Sequence, residues 1–128
     1  MVRANGVFDA ERVAVVGATE REGAVGRAIT RHLLEGFDGE VLAVNPNVDR
    51  VFDLPCRDGL AGTEADLAVV VVPPEAAVET VETAGREGID SVVVITAGFG
   101  ETGSEGAKRE RKLRELAAEY DLDLVGPD

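Results

Sequence analysis

Five runs of aliphatic, largely β-branched residues, each of strand length, recur along the chain with helix-length segments between them. They are RVAVVG at 12–17, EVLAVNP at 40–46, DLAVVVVP at 66–73, DSVVVITAG at 90–98 and LDLVG at 122–126. Strands so continuously apolar have no face to give to water, as in parallel strands covered on both sides. The segments between carry the helical period. Val25, Ile29, Leu33 and Gly36 fall on one stripe of a first helix that stops at the EGFDG break. A second opens with Pro74 in its first turn, places Ala77, Val78, Val81 and Ala84 on one face, and ends at Gly85 or Gly88. A third takes Ser104 as N-cap and Leu113, Leu116, Ala117 and Tyr120 as its buried face, with Glu105–Arg109 and Glu110–Arg114 as i,i+4 pairs. The segment 47–65 is least regular: a short extended piece around Val51 to Leu54, then a helical turn.

Strand and helix alternating through short connections imply right-handed crossovers. The expected fold is α/β: a Rossmann-like doubly wound parallel sheet of about five strands with helices on both faces. At 128 residues the length suits one domain, residues 1–128, and with 4% aromatic residues its core must be built from Val, Leu, Ile and Ala. In such a sheet the ligand lies outside the carboxyl ends of the strands, where strand order reverses. Four segments should converge there: Gly17 to Gly26, Val44 to Asn47, Val72 to Glu75, and Ile95 to Glu101.

Charge narrows the partners. The chain has 25 Asp plus Glu against 13 Lys plus Arg, a net −12, and its only lysines are Lys108 and Lys112. Nucleic acid and anionic membranes are poor partners for such a surface. Carboxylates interleaved with apolar runs mark a folded, acid-coated domain, which suits a halophilic cytoplasm where salt screens self-repulsion. The single Cys56 rules out an internal disulfide, makes no zinc site by itself, and reads as a small buried or half-buried side chain. No stretch reaches 18 apolar residues and the start MVRANGVFDAER lacks a signal-peptide h-region, so a soluble, cytoplasmic chain is expected.

The stretch VVGATEREGAVGRAI, residues 15–29, runs from strand to helix through Gly17, Gly23 and Gly26. Such a turn offers backbone N–H groups and a helix dipole to a phosphate. It departs from the dinucleotide fingerprint, which wants glycine where Thr19 stands, and no GKS or GKT follows to make a P-loop. The second strand ends AVNPN: a neutral Asn45 and a rigid Pro46 replace the acid that binds a ribose 2′-hydroxyl in NAD sites. A ligand whose ribose carries phosphate needs that avoidance, since an acid would repel it. Coenzyme A and NADP both qualify.

The motifs VGAT with VGRAI, VNPN, VVP before a helix, ITAGFGETG and the terminal GPD occur in this order. From Phe8 to Asp128 the chain resembles the N-terminal CoA-binding domain of ADP-forming acyl-CoA synthetases of the acetate–CoA ligase type, similar to the α subunit of succinyl-CoA synthetase. The resemblance implies coenzyme A held by Gly17, Ala18, Thr19 and Arg21, with the helix opening at Gly26. Asn45, Pro46 and Asn47 would flank the adenosine end; Val72, Pro73, Thr96, Ala97 and Gly98 would line the rest. Family members often have lysine where Asn47 stands, so Arg50 or Arg21 would have to provide the cation, or high salt partly replaces it. The family's GPN is GPD here and leads into the next domain, so the resemblance implies the first module of a longer enzyme. Its partners would be phosphohistidine and ATP-grasp domains or subunits.

No catalytic residue is expected within the segment. His32, on the first helix, reads as a packing or surface residue, the family's phosphohistidine lying in the next domain. Glu101 and Glu105 could face the thioester end or serve as loop and helix-start acids; Thr19 could bond a phosphate or cap the helix. Gly98 and Gly100 relieve a tight turn. The rival functions are a stand-alone or acetyltransferase-fused CoA-binding regulatory domain, an NADP-binding domain, and an interaction domain that binds no nucleotide.

Overall fold

The structure is a computed structural model and describes residues 10–95 and 103–126. Seven strands form one sheet in the order β3-β4-β2-β1-β5-β6-β7. In chain order the elements are β1 (Arg12–Val16), α1 (Val25–Gly36), β2 (Glu40–Val44), β3 (Arg50–Val51) and β4 (Leu54–Arg57). These are followed by β5 (Leu67–Val70), α2 (Pro74–Arg86), β6 (Ser91–Val94), α3 (Gly103–Tyr120) and β7 (Asp123–Val125). All pairings are parallel except β3 with β4. From β1 the chain moves outward through β2 to the β3–β4 hairpin, then returns to the other side of β1 for β5, β6 and β7. Strand order therefore reverses between β1 and β5.

The central strands are apolar because helices cover both of their faces. Ala14, Val16, Ala68, Val70, Val92 and Val94 pack with Ala77, Val81 and Ala84 of α2 and Leu113 and Leu116 of α3. On the opposite face Val13, Val15, Val41, Ala43 and Val69 meet Ile29 and Leu33 of α1 and Phe37 beyond it. At the amino edge of the sheet the Asp66 carboxylate accepts the backbone N–H groups of Glu11 and Arg12, both at 3.0 Å, tying the entry of β1 to β5.

Four expectations need correction. The sheet has seven strands rather than about five, because residues 50–57 fold into a hairpin whose β4 adds to β2 in parallel. Its turn residues Phe52 and Asp53 have φ of 48° and 71°, a left-handed pair that usually announces itself by Asn or Gly. The helical turn expected after it is a turn closed by Thr63 N–H on Leu60 C=O at 3.1 Å. On α1 the buried stripe is rotated: Gly26 and Thr30 are buried, Ile29 and Leu33 half-buried, whereas Val25 and Gly36 are exposed. Finally, Ser104 lies inside α3, which begins at Gly103, and so is not its N-cap.

The Glu105–Arg109 and Glu110–Arg114 pairs are present at 3.9 and 3.4 Å. Helix α2 runs through Gly85 to Arg86. A β-carbon on Gly85 would collide with the Tyr120 ring, so this glycine sets how closely α2 and α3 approach.

Candidate functional site

Outside the carboxyl ends of β1, β2 and β5, at the reversal of strand order, lies a cavity of about 630 Å³. That is within the usual range for small-molecule sites. Three of the four segments expected at this edge line it. From the first loop come Gly17, Thr19 and Arg21; from the end of β2, Asn45, Pro46 and Asn47; from the end of β5, Val72 and Pro73. Thr96, Ala97, Gly98, Gly100 and Glu101 lie outside the described residues.

The glycines of the first loop are there for the loop's own geometry. Gly17 has φ of 100°, and a β-carbon on it would stand 2.8 Å from the Val71 carbonyl oxygen. Its N–H donates to Val44 C=O at 2.9 Å, so the loop leaves β1 still bound to β2. Gly26 is buried beneath the loop, where a β-carbon would strike the Gly17 carbonyl oxygen. Ala18 is fully buried in the α1-side core. Ala18 and Gly26 thus support the cavity without lining it. Close approach of Val71, just beyond β5, to Gly17 and of α1 to the loop backbone is enough to require glycine at 17 and 26.

Thr19 does not cap α1. Its Oγ1 accepts the Arg21 N–H at 3.2 Å inside the loop, and the cap residue, Ala24, offers no side-chain bond. The first turn of α1 contains no acid, but it borders a separate hollow with Arg31, His32 and Glu35. The cavity is therefore faced by the loop Gly17 to Arg21, not by the helix end. His32 is exposed on α1, away from the cavity.

Asn45 is engaged by the fold through both ends of its amide. Its Nδ2 donates to Ala18 C=O at 2.9 Å and its Oδ1 accepts the Asn47 N–H at 2.9 Å, joining the first loop to the turn after β2. Among the described residues Arg21 is the one cation lining the cavity. Arg50 points its guanidinium at Asp53 C=O, at 2.8 Å, within its own hairpin. Asp58 and Glu79 bring carboxylates to the same cavity.

The 630 Å³ also includes a wall that sequence reasoning missed: Gly59, Leu60 and Ala61 from the loop after β4, and Ala76, Thr80 and Thr83 from α2. The α2 residues had a readable signal, since positions 76, 79 or 80, and 83 form one helical stripe beside the buried one. The loop after β4 had none, because the extended piece expected before it stopped at Leu54, short of the strand that carries the loop to the cavity. Cys56, on β4, is half-buried; burial pushes its thiol up from the ordinary value, and the Asp49 carboxylate adds to this. Among the described residues no His, Cys, Asp and Glu cluster stands ready for a metal, and no helix is long and apolar enough to cross a membrane.

A doubly wound sheet with a glycine loop and a roomy cavity at its switch point defines a nucleotide-binding domain of the Rossmann type. Within that class, the sequence matches the CoA binding domain family over residues 11–128, and the chain belongs to that family, whose ligand is coenzyme A. It is 43% identical over 124 residues to the ADP-forming acetate–CoA ligase I of Archaeoglobus fulgidus, covering 95% of this chain and 18% of that enzyme. It is 35% identical over 124 residues to the ADP-forming 4-hydroxybutyrate–CoA ligase of Nitrosopumilus maritimus, again 95% and 18%. In three dimensions it superposes with a TM-score of 0.89 on the dinucleotide forming acetyl-coenzyme A synthetase 1 of Ca. Korarchaeum cryptofilum in complex with phosphate and ADP. There the identity is 32%, over 99% of this chain and 28% of that one. The chain thus spans less than a fifth of each of these two ligases.

Proposed function

We propose that this chain is the CoA-binding module of an ADP-forming acyl-CoA synthetase in a halophilic cytoplasm. The observation that carries the reading is the switch-point cavity, lined by Arg21, the glycine loop and the α2 wall, in a member of the CoA binding domain family. In this reading Gly17, Thr19 and Arg21 meet the phosphates, and Pro46 and Asn47 flank the adenosine. Ala18, Gly26 and Asn45 hold those segments in place, and Val72 and Pro73 line the remainder. The module's part in the reaction is positional. It fixes the nucleotide so that the thiol sulfur can attack an acyl phosphate held by phosphohistidine and ATP-grasp partners, forming the C–S bond as phosphate leaves. Two relatives that differ in the acid they are named for share this segment, which supports a reading in which the acid is chosen outside it.

Titration calorimetry with CoA, dephospho-CoA and NADP, in molar KCl and in dilute buffer, tests the proposal. Binding of CoA that weakens on loss of the 3′-phosphate and exceeds that of NADP is expected. A folded chain that prefers NADP, or takes no nucleotide in either salt, would overturn it.

A further inference from the structure

The glycine loop is bound to a part of the fold that does not itself line the cavity. Glu20 reaches the β3–β4 hairpin, where its Oε2 accepts the backbone N–H of Phe52 at 2.7 Å. Arg27, in the first turn of α1, donates from Nη1 to Glu20 C=O at 2.6 Å and pairs with Glu22 at 3.7 Å. The same guanidinium lies over the Phe52 ring, 5.5 Å from its centroid. Glu20, Arg27 and Phe52 therefore close a ring of contacts around the stretch Thr19 to Glu22, which carries Arg21. At its centre are Phe52 and Asp53, consecutive non-glycine residues at φ of 48° and 71°. Left-handed backbone of this kind persists where surrounding structure over-determines it, and it gathers at sites where geometry serves a function. Phe52 is exempt from its usual conformation because its N–H and its ring are both held by the glycine loop and its helix.

We propose that the Phe52–Asp53 turn braces the glycine loop through Glu20 and Arg27, and that this brace sets the loop geometry on which nucleotide affinity depends. Glu20, Arg27 and Phe52 are positioning residues; none of them lines the cavity. The effect on affinity rests on the proposed CoA site, whereas the effect on the loop does not.

The test compares Glu20→Ala with Glu20→Gln in the 128-residue chain. Both remove the same charge, and only glutamine keeps the side chain with an oxygen able to accept the Phe52 N–H, so their ratio reads the side-chain contact with the hairpin apart from the charge. The expected result is CoA binding about tenfold weaker in E20A than in E20Q, with the two melting within a few degrees of each other. Faster hydrogen exchange at backbone amides 18–24 in E20A than in E20Q should accompany it. A merely structural contact would lower the melting temperature and leave the dissociation constant alone. Equal CoA affinity and equal loop exchange in the two variants would overturn the brace. If the wild-type chain binds no CoA, the proposed function fails instead, and loop exchange alone then decides whether the brace exists.

Discussion

Asn45 uses both ends of its amide, donating to Ala18 C=O and accepting from Asn47 N–H, each at 2.9 Å. Aspartate would keep the acceptor, lose the donor, and set a carboxylate oxygen against a carbonyl. Asn45→Asp should therefore cost about 1–3 kcal/mol, the usual cost of an unsatisfied and partly buried polar pair. For a domain of this size that lowers the melting temperature by at least several degrees. The new charge also borders the cavity, so CoA affinity should fall, and fall further in dilute buffer than in molar KCl, where screening shortens its reach. Thermal melts and titrations at the two salts check both halves; unchanged affinity in dilute buffer would contradict the second. The absence of an acid at this position was legible in the sequence. That the asparagine serves the fold was not, because nothing in AVNPN says that Ala18, 27 residues earlier, supplies its acceptor.

At the scale of elements, α2 and α3 touch where Gly85 leaves room for the Tyr120 ring. Gly85→Ala should destabilise the chain by about 1–3 kcal/mol through overpacking. The same change made in a Tyr120→Ala background should instead gain about 0.5–1 kcal/mol, since alanine is the better residue inside a helix. A double-mutant cycle by chemical denaturation reads this reversal of sign; additive effects would mean that the ring moves aside at no cost. The long elements were legible because hydrophobic period is set locally: the five apolar runs are β1, β2, β5, β6 and β7, and Pro74 does open α2. The β3–β4 hairpin was legible only as a short extended piece around Val51 to Leu54, because VFDL carries no Asn-Gly or Asp-Gly pair and its left-handed turn is held by contacts from Glu20 and Arg27. The rotated stripe of α1 escaped for a related reason. Gly26 has to face Gly17, a contact that a count of apolar residues cannot register.

At the scale of the whole molecule the governing quantity is a net charge of −12 on 128 residues, set against a proposed ligand that is itself a polyanion. Folding gathers 25 carboxylates around a small sheet, and the ion pairs that offset them are exposed surface pairs such as Arg31–Glu35 and Arg86–Glu82, each contributing little. Screening should then stabilise the folded state: the melting temperature is expected to rise steeply from dilute buffer to about 1 M KCl, where the Debye length has shrunk to about 3 Å, and to flatten beyond. Sucrose at matched osmolality separates screening from general exclusion of solute, because it lacks the steep first rise. The cavity obeys the same field. Among the described residues Arg21 is the one cation facing it, with Asp58 and Glu79 nearby, so the ligand's phosphates approach an acidic surface past that positive point. Most anion sites lose affinity as salt is added, because their local field attracts the ligand; here the long-range field repels it. CoA affinity should therefore increase from dilute buffer to a few hundred millimolar KCl before the Arg21 contact is itself screened. Arg21→Gln should remove the later decline and keep the early rise. An affinity that falls monotonically with KCl in the wild-type chain would show that the local cation, not the charge of the whole molecule, controls the encounter.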